Sequence, residues 1–441
     1  MNKINLIQKF IKKIKKNQKI LIAYSGGLDS TVLLNQLIPF QKKKPFIQIR
    51  AIYINHNTSK KTKTFSQHCK KTCQTYKIQF IQKNIKITTK NNFQNNARKL
   101  RYKIFEKNML PNEILVTGHH ANDQCETLFL SLIKGRGIPG LSGIPHLRYL
   151  HSNKIIIRPL LKYTKLQLEN WAKKNKINWI NDESNLSNKY DRNFIRNKII
   201  IKMQNKWPYF INNCIKSMKI LYNQEHALNY FLDQEIKKQK TFKNIFNIYF
   251  FQNYSNIIQT LLIRRWLFLK TKNTINYINT QNIYTNLVVN KEQNKNNTIA
   301  IKKNIITRYK NKIYYIKKKK SIKNKILFWH NHNKSLTLPQ NLGYLTKNRL
   351  GIKLPKPKKT DLINIRFQLN KTIYINQYYK KRTKTILQEN QITPWNRNRI
   401  PILFYNNQPI AIIGIVNLAY KKNKKKIIKT WNISWINEIK Y

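Results

Sequence analysis

Apolar residues Leu6, Ile7, Phe10, Ile11 and Ile14 recur at helical spacing and predict an amphipathic helix at the start of the chain. The pattern then changes to short apolar runs at 19–24, 47–54 and 114–117, with a weaker one at 78–81, each separated by enough residues for a helix. Runs of this kind alternating with helical stretches predict βαβ units and a parallel sheet. Beyond about Met203 the rhythm stops. Residues 215–270 read as mostly helical, with Leu261, Leu262, Arg264, Arg265 and Trp266 in one amphipathic stretch, and 271–325 fit neither template. From 326 onward, β-like runs at 336–346, 402–405 and 410–415 predict a small separate domain. There is no internal repeat.

Composition changes this picture in two ways. The 441 residues hold 86 Lys+Arg against 16 Asp+Glu, a formal net charge of +70, yet 41% are hydrophobic and 12% aromatic, enough to bury real cores. A field of that sign draws a polyanion such as nucleic acid. Lysine also crowds plainly solvated stretches such as 317–320 and 421–426, so the excess reads equally as a compositional bias. Four cysteines make no disulfide framework, no apolar run approaches a membrane span, and the first residues resemble neither a signal nor a transit peptide. A cytoplasmic protein without a membrane partner is expected. Cys69 and Cys73 lie on a Lys-rich helix with no second pair, and read as a surface coincidence rather than a zinc or iron–sulfur site. His330-Asn331-His332 reads as a loop.

Glycine is scarce, so its placement is informative. Seven of the ten glycines fall between residues 26 and 143, at expected strand ends or in one loop, where ligands of open α/β sheets bind. They are expected to outline a pocket. At the first strand end stands Ser25-Gly26-Gly27-Leu28-Asp29-Ser30, followed by apolar residues of a helix. Two glycines let the backbone approach an anion, hydroxyls and amides donate to it, and the helix N-terminus adds its positive dipole. The segment lacks the Gly-Lys-Ser/Thr of a Walker loop. It reads as a phosphate or pyrophosphate cradle, with Asp29 able to hold a Mg²⁺ that bridges phosphates.

This hexapeptide resembles the pyrophosphate loop (PP-loop) of the ATP-pyrophosphatase superfamily. Gly118-His119-His120-Ala121-Asn122-Asp123-Gln124-Cys125-Glu126-Thr127 is similar to the His-His-x-Asp-Asp-Gln-x-Glu-Thr signature of the tRNA(Ile)-lysidine synthetases. Residues 97–102, 134–143, 158–161, 182–185 and 192–196 match that family in order, and 384–415 are similar to its C-terminal domain. Asn122 departs from the pattern, because it stands where the family has the first Asp of the pair; it accepts hydrogen bonds but holds no charge.

The resemblance implies an α/β protein with an N-terminal parallel-sheet, Rossmann-like PP-loop adenylation domain (1–212), a helical middle tRNA-binding domain (213–325) and a small α+β C-terminal tRNA-binding domain (326–441). It implies a ligase that joins free L-lysine to C2 of the wobble cytidine of tRNA(Ile) with a CAU anticodon, through an adenylated tRNA, consuming ATP and releasing AMP and pyrophosphate. Residues 25–30 are then the ATP site, with Asp29, His119, Asp123 and Arg196 catalytic and Asp29 and Asp123 on Mg²⁺. Glu126 is expected to hold the lysine, whose amine has a reference pKa of about 10.4 and must be presented neutral. Arg98, Arg101, Arg192, Trp395, Arg397 and Arg399 are expected to meet tRNA. The alternatives are a tRNA cytidine thiolase of the same superfamily and a non-catalytic RNA-binding relative. The oligomeric state is open, with a homodimer among the choices.

Overall fold

The structure is a computed structural model. It describes residues 6–12, 14–15, 17–55, 62–85, 93–150, 154–182, 186–239, 244–273, 275–290, 298–301, 304–369, 372–374, 380–418 and 429–437. The 421–426 lysine run and Glu183, Ser184 and Asn185 of the fifth family-like block lie outside them. The chain divides into two compact units, 1–234 and 235–441.

In the first unit, helix α1 (Gln8–Ile11) precedes β1 (Lys19–Ala23), α2 (Leu28–Lys43), β2 (Gln48–Asn55), α3 (Thr62–Thr75), β3 (Gln79–Asn84), α4 (Phe93–Asn108) and β4 (Glu113–Val116). Then come α5 (Ala121–Ile133), α6 (Ile138–Leu141), β5 (Leu147–Tyr149), β6 (Ile155–Ile157), α7 (Lys165–Lys174), α8 (Asp191–Phe194), α9 (Ile201–Lys206) and α10 (Phe210–Lys238). The four apolar runs predicted as strands are β1 to β4, and the sheet order is β3-β2-β1-β4-β6-β5. All pairings are parallel except β5 with β6. Val32, Leu33, Leu34 and Leu37 of α2 pack with Ile20 and Ile22 of β1 in one core, while Leu21, Ile52 and Leu115 face a second core with Phe105 of α4. The sheet is therefore covered on both faces, which is why its strands read as continuous apolar runs.

The order reverses at β1 and β4, which are neighbours with Ile22 opposite Val116. A crevice opens at the carboxyl ends of two such strands. At the opposite end, Arg50 of β2 grips Glu113 of β4 with Nε to Oε1 at 2.9 Å and Nη2 to Oε2 at 2.7 Å, a bidentate pair that locks the strands away from the crevice.

The helical expectation for the middle of the chain holds, and the second unit adds a sheet to it. Helices Asn256–Thr271 and Tyr277–Tyr284 are present, but Ile245–Asn247, Thr298–Ile301, Asn304–Tyr309 and Lys312–Lys317 form a four-stranded antiparallel sheet. Trp266 is buried against Phe246, with ring centroids 5.2 Å apart. The remainder holds antiparallel sheets, including a five-stranded one built on Ile363–Arg366, Ile402–Tyr405 and Gln408–Ile412. His330-Asn331-His332 is loop, as expected.

Candidate active site

The loop after β1 is shaped by its own residues. Gly26 has φ +79°, a left-handed backbone that favours glycine, and a Cβ there would lie 2.9 Å from Cys69 Sγ. Ile180 N–H donates to the Gly26 carbonyl at 3.0 Å. Ser30 Oγ accepts from Ser25 N–H at 3.2 Å and donates to the Gly27 carbonyl at 3.0 Å, so the hydroxyl closes the turn over the first residues of α2. The loop after β4 meets this turn directly, because a Cβ on Gly118 would stand 2.9 Å from the carbonyl carbon of Asp29. Only glycine allows that approach.

Both loops face one cavity of about 860 Å³, whose lining includes Ser25, Gly27, Asp29, His119, Asp123 and Arg196. Arg98, Arg101 and Arg192 line it as well. Of the seven clustered glycines, Gly27 and Gly118 line the cavity and Gly26 shapes the turn beside it, whereas Gly135, Gly137, Gly140 and Gly143 do not line it. They sit beyond α5, where a Cβ on Gly143 would collide with Met218 of α10. The glycine ring expected around the pocket is thus only partly there: Gly143 packs against a helix, while Gly135 and Gly137 stand in open space.

The carboxylates are not equivalent. Asp123 Oδ2 accepts from His120 N–H at 3.0 Å and Oδ1 from Arg192 Nη2 at 2.7 Å. Burial favours its neutral form, but His120, Arg192 and His119 outweigh it and hold the carboxyl well below the usual range. Asp29 shows the opposite balance. Burial raises its pKa against the opposing charge of His120, and its Oδ1 is enclosed with no hydrogen-bond partner. His120, itself buried, places Nε2 at 3.6 Å from Asp29 Oδ2 and 3.7 Å from Asp123 Oδ2.

Glu126 corrects an expectation. It is fully buried, with Oε2 bonded to Arg192 Nε at 2.5 Å and Oε1 to Arg196 Nε at 2.5 Å. With both oxygens taken, it pins two arginines and is not open to an incoming lysine ammonium. Arg192 likewise belongs to this cluster rather than to an exposed phosphate contact, although burial is outweighed by Asp123 and Glu126 and its cation is firmly held. His119, expected to be catalytic, is poorly suited to act as a base. Its Nδ1 lies 2.8 Å from Thr117 Oγ1, and burial drives its pKa down to about 3, too weak to take a proton from an ammonium.

Arg98 stacks 5.4 Å over the Tyr102 ring, and Arg101 is partly buried beside them. Burial pushes the Tyr102 hydroxyl up, but Arg98, Arg158 and Arg101 together bring it below its ordinary value. Cys69 and Cys73 are fully buried in the core under α2, not on a surface, and burial raises both thiols, Cys73 to about 12.

In the second unit, the half-buried Trp395 packs against Tyr314 with centroids 4.9 Å apart, and Arg397 Nε donates to the Ile392 carbonyl at 3.3 Å. Arg399 is 4% exposed and bonded to Gln340 Oε1 at 2.8 Å, which makes it an interior strut and corrects its expected contact with phosphate. Three residues went unassigned in the sequence although each lay in or beside a matched block. His120 is in the second motif, Tyr102 follows Arg101, and Lys165 lies within a Thr164-x-x-Gln167 capping box that a search for helix starts would find.

Comparison with known proteins agrees with this geometry. Residues 2–203 match a family described as the PP-loop domain, and 363–435 match one described as the TilS substrate C-terminal domain. A tRNA(Ile)-lysidine synthase of Buchnera aphidicola subsp. Schizaphis graminum is 44% identical over 439 residues, covering 99% of this chain and 98% of that one. That of Buchnera aphidicola subsp. Acyrthosiphon pisum is 47% identical over 427 residues, 96% of each chain, and that of Histophilus somni (strain 2336) is 33% identical over 427 residues, 95% of this chain and 99% of its own. A PP-loop turn facing a carboxylate–arginine cluster, and likeness along nearly the whole length, place the chain in the tRNA(Ile)-lysidine synthase family.

Proposed function

We propose that this chain ligates free L-lysine to C2 of the wobble cytidine of a CAU-anticodon tRNA(Ile), in two steps that share one cavity. The observation that carries the reading is the PP-loop turn at Ser25–Ser30 facing Asp123, Arg192 and Arg196 across about 860 Å³. In the first step the C2 oxygen of cytidine attacks the α-phosphorus of ATP and pyrophosphate leaves. The amides after Gly26 and the N-terminus of α2 hold the departing pyrophosphate. Arg98, Arg101 and Arg196 line the opposite wall, where charge develops on phosphate and ring. In the second step the lysine ε-amine attacks C2 and AMP leaves.

Asp29 fits a Mg²⁺ ion, since its Oδ1 is enclosed and unpartnered, whereas both oxygens of Asp123 are engaged by His120 and Arg192. A bound Mg²⁺ would neutralise phosphate charge, and one carboxylate plus phosphate oxygens is an ordinary protein share of its shell. Lysine itself meets a cavity whose carboxylates, besides Asp123, are Asp29, Glu169 and Asp182. Residues 1–212 then supply adenylation, while 213–325 and 326–441 bind tRNA through groups such as Trp395 and Arg397.

The test is incubation with unmodified CAU-anticodon tRNA(Ile), ATP, Mg²⁺ and labelled lysine. Label should enter the tRNA with stoichiometric pyrophosphate release. Sulfur incorporation without lysine would indicate a thiolase, and tRNA binding without pyrophosphate release would indicate a non-catalytic relative.

A further inference from the structure

Asn122 stands where the family pattern has an acid, and in this structure its side chain has a definite task. Its Oδ1 accepts from the backbone N–H of Lys165 at 2.9 Å, and next to it Ala121 N–H donates to the Tyr163 carbonyl at 2.8 Å. These two bonds stitch the first turn of α5 to the first turn of α7. Thr164 caps α7 through Gln167 N–H at 3.3 Å, and Gln167 Oε1 returns the bond to Thr164 N–H at 2.9 Å, so the start of the helix is rigid. Leu168 and Ala172 on its other face are fully buried in the main core. The helix therefore cannot roll, and Lys165 and Glu169, one turn apart, are held on the cavity wall.

We propose that Lys165 is an ATP-contacting cation of this site and that Asn122 is its positioning residue, acting as a neutral hydrogen-bond acceptor rather than as a missing carboxylate. The inference rests on reading the cavity as the ATP site. Lys165 lines the same cavity as Ser25, Gly27 and Asp29, and its charge is felt by the Asp29 carboxylate. Of the other cations that line the cavity, Arg192 and Arg196 are already bound to Glu126 and Arg98 stacks on Tyr102. Lys165 makes no comparable bond to a side chain among the described contacts, and its long flexible stem suits an ammonium that reaches a phosphate as a point charge. The acceptor role explains why Asn serves at 122: the bond to Lys165 N–H needs a carbonyl oxygen and no charge.

The test compares Lys165→Met, Lys165→Arg, Asn122→Ala and Asn122→Asp in the full chain. It measures affinity for a non-hydrolysable ATP analogue, KM for ATP, kcat for pyrophosphate release, tRNA affinity and thermal midpoint. Lys165→Met should weaken analogue binding or raise KM for ATP by roughly tenfold to a hundredfold, the range of one lost charge-assisted bond. Its thermal midpoint and tRNA affinity should stay near wild type, and Lys165→Arg should recover most of the loss. Asn122→Ala should show the same ATP defect in weaker form, and Asn122→Asp should rescue it. Wild-type ATP parameters in Lys165→Met overturn the proposal, as does a defect in Asn122→Ala that appears only as a lower thermal midpoint. Failure of wild type to bind the analogue would overturn the ATP-site reading itself, and the proposal with it.

Discussion

His120 Nε2 lies 3.6 Å from Asp29 Oδ2 and so joins two loops that are distant in sequence. The same nitrogen stands 3.7 Å from Asp123 Oδ2. One imidazole thus faces a carboxylate that is satisfied by hydrogen bonds and another that is not. Asp123 is spoken for within the protein, and Asp29 is left for ligand.

That asymmetry predicts opposite stability effects. Burial raises the Asp29 pKa, so its ionised form is penalised in the folded protein at neutral pH, and Asp29→Asn should raise or preserve the thermal midpoint while abolishing pyrophosphate release. Asp123 has a depressed pKa. The stability it contributes is present above the ordinary carboxylate pKa of about 3.9 and is lost as pH falls toward its folded value. Asp123→Asn should lower the thermal midpoint at pH 7 and shrink the difference from wild type in acid. Differential scanning calorimetry at pH 7 and pH 3 reads both signs.

Glu126 is the hub of a buried ion cluster, so its truncation leaves two guanidinium groups without their main partner. Glu126→Ala should cost about 3–5 kcal/mol in a urea titration, toward the lower end because both arginines reach solvent. A loss under about 1 kcal/mol would contradict the assigned geometry.

His119 should stay neutral through the physiological range. Burial lowers its pKa to about 3, so its imidazole resonances should not titrate between pH 8 and pH 5 in an NMR experiment. The linkage sign is that of a base with a lowered folded pKa: the unfolded chain gains the proton first, near pH 6.5, and stability falls from there as pH drops toward 3. His119→Asn should flatten that part of the pH–stability curve.

Glycine positions separate by what surrounds them. Gly118→Ala places a methyl 2.9 Å from backbone that cannot move without displacing α2, and should cost about 1–3 kcal/mol and most ATP affinity. Gly137→Ala meets nothing within 4 Å and should stay within about 0.5 kcal/mol of wild type. Paired urea and ATP-binding titrations on the two variants decide it.

The parallel sheet was legible because β1, β2 and β4 are buried on both faces and leave uninterrupted apolar runs. The β-sheet at residues 298–317 was not, because strands such as Asn304–Tyr309 are short, half-buried and interleaved with polar residues that obscure their period. For the site, motif spacing placed Ser25–Ser30 and Asp123 after strand ends, and the structure brings both to one cavity. Roles were harder to read. Whether Glu126 meets substrate or arginine depends on α8 and the π-helical segment Ile195–Ile200 after it, which bring Arg192 and Arg196 to α5, and nothing local to residue 126 records that. Arg399 looked like a surface cation for the same reason: its charge is evident in the sequence, and its burial against Gln340 is not.

The close seating of Gly118 on Asp29 also orders events during synthesis. The glycine-rich turn emerges early, but the loop that presses against it, and the arginines that face it, are translated later. A growing chain that ends before Arg192 carries the turn without two of the four arginines that line the cavity. On the proposed site, catalytic competence would therefore arrive late, when the first unit is nearly complete.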